Sequence, residues 1–230
     1  MPLLPPVDVI AIDVLGTLVD EPGALRAAIA SAAPDLDAAA IEIARAAWER
    51  RVGTEQERID RGERDHADAD ALAAETAAHI APTLGVTDPA VVATLARPDR
   101  LLQPWPDSAQ GIDLLERRVP VYGLSNATTA TLDGLADRAG FRWHGAFSAS
   151  AASAYKPAPS VYALVSDATG VPPQRVLMVA AHAWDLRGAQ AVGMRTAYVA
   201  RPGGDPPRAD DRFDGAFRTL AELADVLGER

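Results

Sequence analysis

Asp13 closes the apolar run Val7-Asp8-Val9-Ile10-Ala11-Ile12 and opens Val14-Leu15-Gly16-Thr17-Leu18. A β-branched run that ends in Asp and passes into Gly-Thr reads as a buried strand delivering a carboxylate into a turn. Ser125 with Asn126, and Asp185, stand at or just beyond the ends of two further strand-like runs. Lys156 precedes Pro157 and a helix beginning near Ser160. In open parallel sheets, ligands bind at the carboxyl ends of the strands. Two carboxylates, an ammonium and a hydroxyl–amide pair gathered there suit nucleophilic or acid–base work on a small molecule. Leu15, two residues past Asp13, can neither give nor take a proton. Blander readings stand beside these. Ser125-Asn126 and Asp185 are also good helix N-caps, and Tyr162 and Trp184 equally suit packing.

The elements that must position these groups follow from periodicity. Residues 7–12, 119–124, 176–180 and 196–200 read as buried strands, and 145–148 as a weaker fifth. Helical patterns cover 108–117, 127–139, 160–169, 185–191 and 218–227. Strands alternating with helices predict an α/β fold, a Rossmann-like parallel sheet covered on both faces. Residues 20–104 break the rhythm with helical patterns at 37–51 and 69–84, and the charge-dense stretch 55–70 reads as a solvated face. The expected organisation is a core of residues 1–19 and 105–230 with a helical domain, 20–104, inserted after the first strand and hinged near 20–23 and 98–106. Trp105, between Pro104 and Pro106, is expected to anchor the hinge. Residues 201–207, Arg-Pro-Gly-Gly-Asp-Pro-Pro, read as a loop.

A chain of 230 residues can bury roughly 70% of the surface its unfolded form exposes. It has no cysteine, which removes disulfides and thiolate chemistry. A formal net charge of −10 disfavours nucleic acid and anionic membrane as partners, while a local Lys/Arg cluster still permits a small anionic substrate. The N-terminal segment lacks a basic region and a long apolar run, so a cytoplasmic location is expected. His66, His79 and His144 show no metal-ligand spacing.

The order Asp, Ser/Thr, Lys, Asp resembles that of the haloacid dehalogenase (HAD) superfamily. The motifs are Asp13-Val14-Leu15-Gly16-Thr17, Leu124-Ser125-Asn126-Ala127-Thr128, Tyr155-Lys156-Pro157 through Tyr162, and Val179-Ala180-Ala181-His182-Ala183-Trp184-Asp185 with Gly188-Ala189. The Ser-Asn turn, Lys-Pro-x-x-x-x-Tyr and Ala-Trp-Asp are most similar to the type II (S)-2-haloacid dehalogenases. The resemblance spans nearly the whole chain, with the insert matching the family's cap. Phosphatases of the superfamily carry a second Asp where Leu15 stands. A halide leaves without a proton, so a dehalogenase needs no such acid. The dehalogenases commonly have Tyr there, so Leu15 departs from both patterns. Ala180 replaces a common Ser and His182 a common Asn.

The resemblance implies hydrolysis of short 2-haloalkanoic acids to 2-hydroxy acids without a cofactor. Asp13 attacks the halogen-bearing carbon with inversion, and water then cleaves the aspartyl ester. It assigns Lys156 and Thr17 to the Asp13 carboxylate, Ser125 and Asn126 to the substrate carboxylate, Asp185 to the hydrolytic water, and Tyr162 to the Lys156–Asp185 network. Leu15 and Trp184 line the substrate. His182 either replaces Asn as a donor or serves as base. The family's halide-binding cap Arg corresponds to Arg45, with Arg50 and Arg51 as fallbacks; an ion pair with Glu42 or Glu49 is the local alternative. Similar proteins are often dimers, so a homodimer is allowed. The rival readings are a hydrolase of another electrophilic carbon beside a carboxylate, a phosphatase binding Mg²⁺ through Asp13 and Asp185, and a degenerate binding module.

Overall fold

The computed structural model describes residues 4 and 6–227. Residues 1–3, part of the N-terminal segment discussed above, lie outside it, as do 5 and 228–230. In chain order, β1 (Val9–Ile12) is followed by α1 (Glu21–Ala32), α2 (Ala38–Asp60), α3 (Ala69–Ile80) and α4 (Pro89–Leu95). Then come α5 (Ser108–Glu116), β2 (Val121–Ser125), α6 (Thr129–Ala139), β3 (Gly145–Ser148), α7 (Pro159–Thr169), β4 (Val176–Ala180), α8 (Ala183–Ala191), β5 (Arg195–Val199), β6 (Gly215–Phe217) and α9 (Leu220–Val226). Contacts divide the chain into two units. Residues 1–19 and 104–230 form one, and Asp20–Gln103 the other.

The first unit holds a parallel sheet ordered β3-β2-β1-β4-β5-β6. β1 and β4 are central and buried along their whole length, as a parallel sheet covered on both faces requires. Their registers align Ile12 with Gly123 of β2 and with Val179 of β4. The strand ends of β1, β2 and β4 therefore lie side by side, each opening into a polar loop. Strand order reverses at β1, the switch point where parallel sheets leave a crevice. Thr128 caps α6 by accepting from the Thr131 amide, and Gly140 ends that helix in the left-handed region.

The second unit is helical. Asp37, Asp68 and Asp88 each cap a helix by accepting a backbone N–H. Its core gathers Leu25, Ile29, Trp48, Ala77, Ile80 and Leu95 from four helices.

Two expectations need correction. Strand β6 is absent from the sequence reading, because a three-residue Gly-Ala-Phe edge strand carries almost no periodicity. Stretch 55–70 is not a uniformly solvated face. Helix α2 runs on to Asp60, and Glu55 is buried, accepting from Arg58 at 3.0 Å and Arg64 at 2.6 Å. Arg64 lies nine residues from Glu55, beyond the i, i+4 spacing that a helical charge pattern exposes. No described helix is long and apolar enough to cross a membrane.

Candidate active site

β1 ends by donating the Asp13 amide to the Val179 carbonyl at 2.9 Å, which fixes the carboxylate at the edge of the sheet. The chain then turns sharply, with Leu18 N and Val19 N both returning to the Val14 carbonyl. Gly16 makes the turn at φ +78°, a conformation that favours glycine. A side chain there would also strike His182, since a Cβ would lie 2.6 Å from its Cε1. Within this turn the Thr17 hydroxyl donates to Asp13 Oδ2 at 2.6 Å and accepts from the Ala181 amide at 2.9 Å. One hydroxyl thus ties the ends of β1 and β4 together.

Lys156 Nζ donates to Asp13 Oδ1 at 2.9 Å and to Asp185 Oδ2 at 2.7 Å. All three side chains are buried. Tyr162 OH donates to Asp185 Oδ1 at 2.8 Å, and His182 Nδ1 lies 3.2 Å from Asp13 Oδ2. Burial by itself would raise the Asp13 pKa. The Lys156 charge, the His182 contact and the Thr17 bond outweigh it and hold that carboxyl far below the usual range. Asp185 is pushed up, chiefly by burial and also by the Asp13 charge, against the pull of Lys156. Burial would lower Lys156, but the two carboxylates reverse this and raise it. Burial and the Asp185 charge push the Tyr162 phenol up, so it stays a donor. The buried centre holds an ionised Asp13 whose compensating cation is already in place.

The other candidate residues fall less uniformly. Buried Ser125 accepts from the Ala127 amide at 3.2 Å, which is the turn-capping role. Asn126 Oδ1 accepts from the Lys156 amide at 2.9 Å, so it positions the segment carrying the lysine. Trp184 is 37% exposed; its ring centroid lies 5.8 Å from that of His182. Leu15 is half-buried on the Asp13 turn. Arg45 belongs to the helical unit, where it is bound by Glu42 at 2.8 Å and by Glu49, so the local ion pair is what forms. Arg50 is exposed and Arg51 half-buried on the same helix.

Four residues around this site were not singled out for it by the sequence. Arg201 is nearly buried. Its Nε donates to the Thr17 carbonyl at 2.8 Å, and its terminal nitrogens meet Asp107 at 2.9 and 3.2 Å. Trp105 donates its indole N–H to the Gly16 carbonyl at 3.2 Å and its amide to Leu18 at 3.0 Å. Three consecutive carbonyls of the Asp13 turn are therefore held from outside. Only the length and composition of 201–207 were legible as a loop. Its Asp205 bridges His182 through the backbone, a pairing that local periodicity cannot reveal.

A family profile described as haloacid dehalogenase-like hydrolase matches residues 7–193. The chain belongs to the haloacid dehalogenase-like hydrolases. This hydrolase is 34% identical over 142 residues to the (S)-2-haloacid dehalogenase of Xanthobacter autotrophicus, covering 59% of this chain and 54% of that one. Haloacetate dehalogenase H-2 of Moraxella sp. strain B is 30% identical over 105 residues, covering 44% of this chain and 47% of that one. The matches thus span about half the length of these curated relatives. The crystal structure of an L-2-haloacid dehalogenase superposes with a TM-score of 0.86 at 28% identity, covering 96% of this chain and 100% of that one. The X. autotrophicus enzyme with chloropropionic acid covalently bound gives 0.81 at 26% identity, covering 96% and 98%.

Proposed function

We propose that this hydrolase cleaves the carbon–halogen bond of short 2-haloalkanoic acids through an ester on Asp13, releasing a 2-hydroxy acid with inversion at carbon. The observation that carries the reading is a buried Asp13 carboxylate kept ionised by Lys156, with Leu15 two residues on. A desolvated carboxylate is a competent nucleophile when a neighbouring cation keeps it charged. Leucine offers no proton to a leaving alcohol, and a departing halide requires none. The covalently bound chloropropionic acid of a structural relative supports the same chemistry for this chain.

The ammonium of Lys156 stands between the two carboxylates that a phosphatase would give to Mg²⁺. Bridged in this way, Asp13 and Asp185 are already neutralised in part. Leu15 removes the acid a phosphatase would need beside that pair, and halide release from (S)-2-chloropropionate should be unaffected by EDTA.

A leaving halide needs a cation. Arg45 is the candidate from the helical unit, although its guanidinium also serves Glu42 and Glu49. Arg45→Ala should cut halide release by roughly two orders of magnitude if it stabilises the developing charge. A loss below about threefold would move the role to Arg50 or Arg51.

The test of the whole reading is one turnover in H₂¹⁸O. Heavy oxygen should enter the Asp13 side chain, with none in the first product molecule. Label appearing directly in the hydroxy acid would overturn it.

A further inference from the structure

The second half-reaction needs a base for water, and the buried carboxylate that the sequence offers is poorly placed to be one. Asp185 is fully buried, with Oδ2 on Lys156 and Oδ1 on Tyr162. A base must first reach the water whose proton it takes. Both Asp185 oxygens instead carry donors, and its surroundings are closed to solvent.

His182 is reached by solvent and lies against the reacting carboxylate. Its side chain is 17% exposed, and Nδ1 lies 3.2 Å from Asp13 Oδ2. The two oxygens of Asp13 are thus approached from different sides, Oδ1 by Lys156 and Oδ2 by Thr17 and His182. Once Asp13 is esterified, its Cγ is the atom that water must attack. An imidazole in contact with an oxygen on that carbon is within one water of it.

The ring is also held in place. It lies over Gly16, where any Cβ would come within 2.9 Å of Nε2, and it tilts against the Trp184 ring. Its backbone carbonyl accepts from Asp185 N at 3.1 Å and Leu186 N at 3.2 Å, opening α8. Asp205 N donates to Ala181 O and Asp205 O accepts from Ala183 N, bracketing His182 on both sides. A rigidly held imidazole beside the carbon to be attacked costs little reorganisation when it acts. Ala180, at the end of β4, offers no side-chain hydrogen bond of its own.

The geometry points to His182 as the general base of ester hydrolysis, an assignment that rests on the aspartyl-ester reading above. A water proton passes to an imidazole nitrogen as the water oxygen bonds to Asp13 Cγ. The resulting oxyanion collapses and breaks the bond from Cγ to the oxygen carried by substrate. The departing alkoxide takes the proton from the imidazolium and leaves as the 2-hydroxy acid. Asp13 is left as a carboxylic acid, which ionises and releases one proton to solvent, balancing the halide already expelled.

The experiment separates the two half-reactions. His182→Gln and His182→Leu, checked for folding by circular dichroism, are mixed with (S)-2-chloropropionate, and halide and intact protein mass are followed together. Expected is a near-stoichiometric halide burst, a turnover reduced on the order of 10²-fold or more, and protein carrying the substrate-derived mass on Asp13. In His182→Ala, added imidazole should restore part of the turnover and discharge the adduct. Unchanged turnover overturns the assignment. So does a burst slowed as much as turnover with no adduct. Absence of halide from the unmodified chain would instead sink the ester reading, and this assignment with it.

Discussion

Lys156 serves two buried carboxylates with one ammonium, so removing it leaves two like charges facing each other out of water. Lys156→Met should destabilise the chain by roughly 3–5 kcal/mol and abolish the halide burst. Urea unfolding checks the first outcome, and a loss below about 1 kcal/mol would mean the pair relaxes into solvent. Asp13→Asn keeps the shape and removes the nucleophile. It should give no halide and no adduct while its circular dichroism is preserved. The depressed pKa of Asp13 has a definite sign. A carboxylate whose native pKa lies below its unfolded value contributes stability that is fully present above the unfolded value and lost as pH falls through the native one. Lys156, being raised, contributes stability present below the unfolded amine value and lost only as pH climbs through its higher native value. Asp185 runs against both, since its raised pKa makes the ionised form a cost at neutral pH. Nucleophilic competence should therefore persist into acid. The single-turnover halide burst should stay level from pH 7 down to about pH 3, with no limb near the ordinary carboxylate value of about 4. A limb centred there would show that Asp13 titrates normally.

Among the elements, the turn after β1 does the positioning, and it is fixed by segments far away in sequence. Thr17 joins β1 to β4 through Asp13 and Ala181, while Arg201 grips the Thr17 carbonyl and is itself braced by Asp107. Asp107 also accepts from Leu220 N at 3.2 Å, which ties the start of α9 to the same brace. Arg201→Ala should lower kcat roughly 10- to 100-fold with little change in KM, because the turn loosens around a carboxylate that still binds its cation. The same substitution made in Thr17→Val should add little further loss. Fully additive losses would show that Arg201 does not act through Thr17. Gly16→Ala meets both a left-handed φ and the His182 ring. It should cost about 1–2 kcal/mol and displace the imidazole from Asp13, a change that the His182 NMR resonances would report.

At the scale of the whole molecule, the two contact units carry separate cores. Trp48 is buried at the centre of the helical one. Trp48→Ala should cost about 3–5 kcal/mol, read as faster amide exchange in α1, α2 and α3 with the β1 and β4 amides still protected. Loss of protection in the strands as well would mean that the units unfold together. The sequence by itself determined the alternating plan, the central buried strands, the helical insert and the order of Asp13, Ser125, Lys156 and Asp185. Each of these is written in local hydrophobic periodicity or in a residue placed at the end of an apolar run. It did not determine the edge strand β6, too short to show a period, or the burial of Glu55 by Arg64. Nor did it determine that Ser125 would cap a turn while Asn126 held the Lys156 segment. Only the tertiary structure placed His182 against Asp13 and Arg201 behind Thr17. Those contacts join residues 169 and 184 positions apart, and no local pattern carries a distance that is set by how strands are ordered in a sheet.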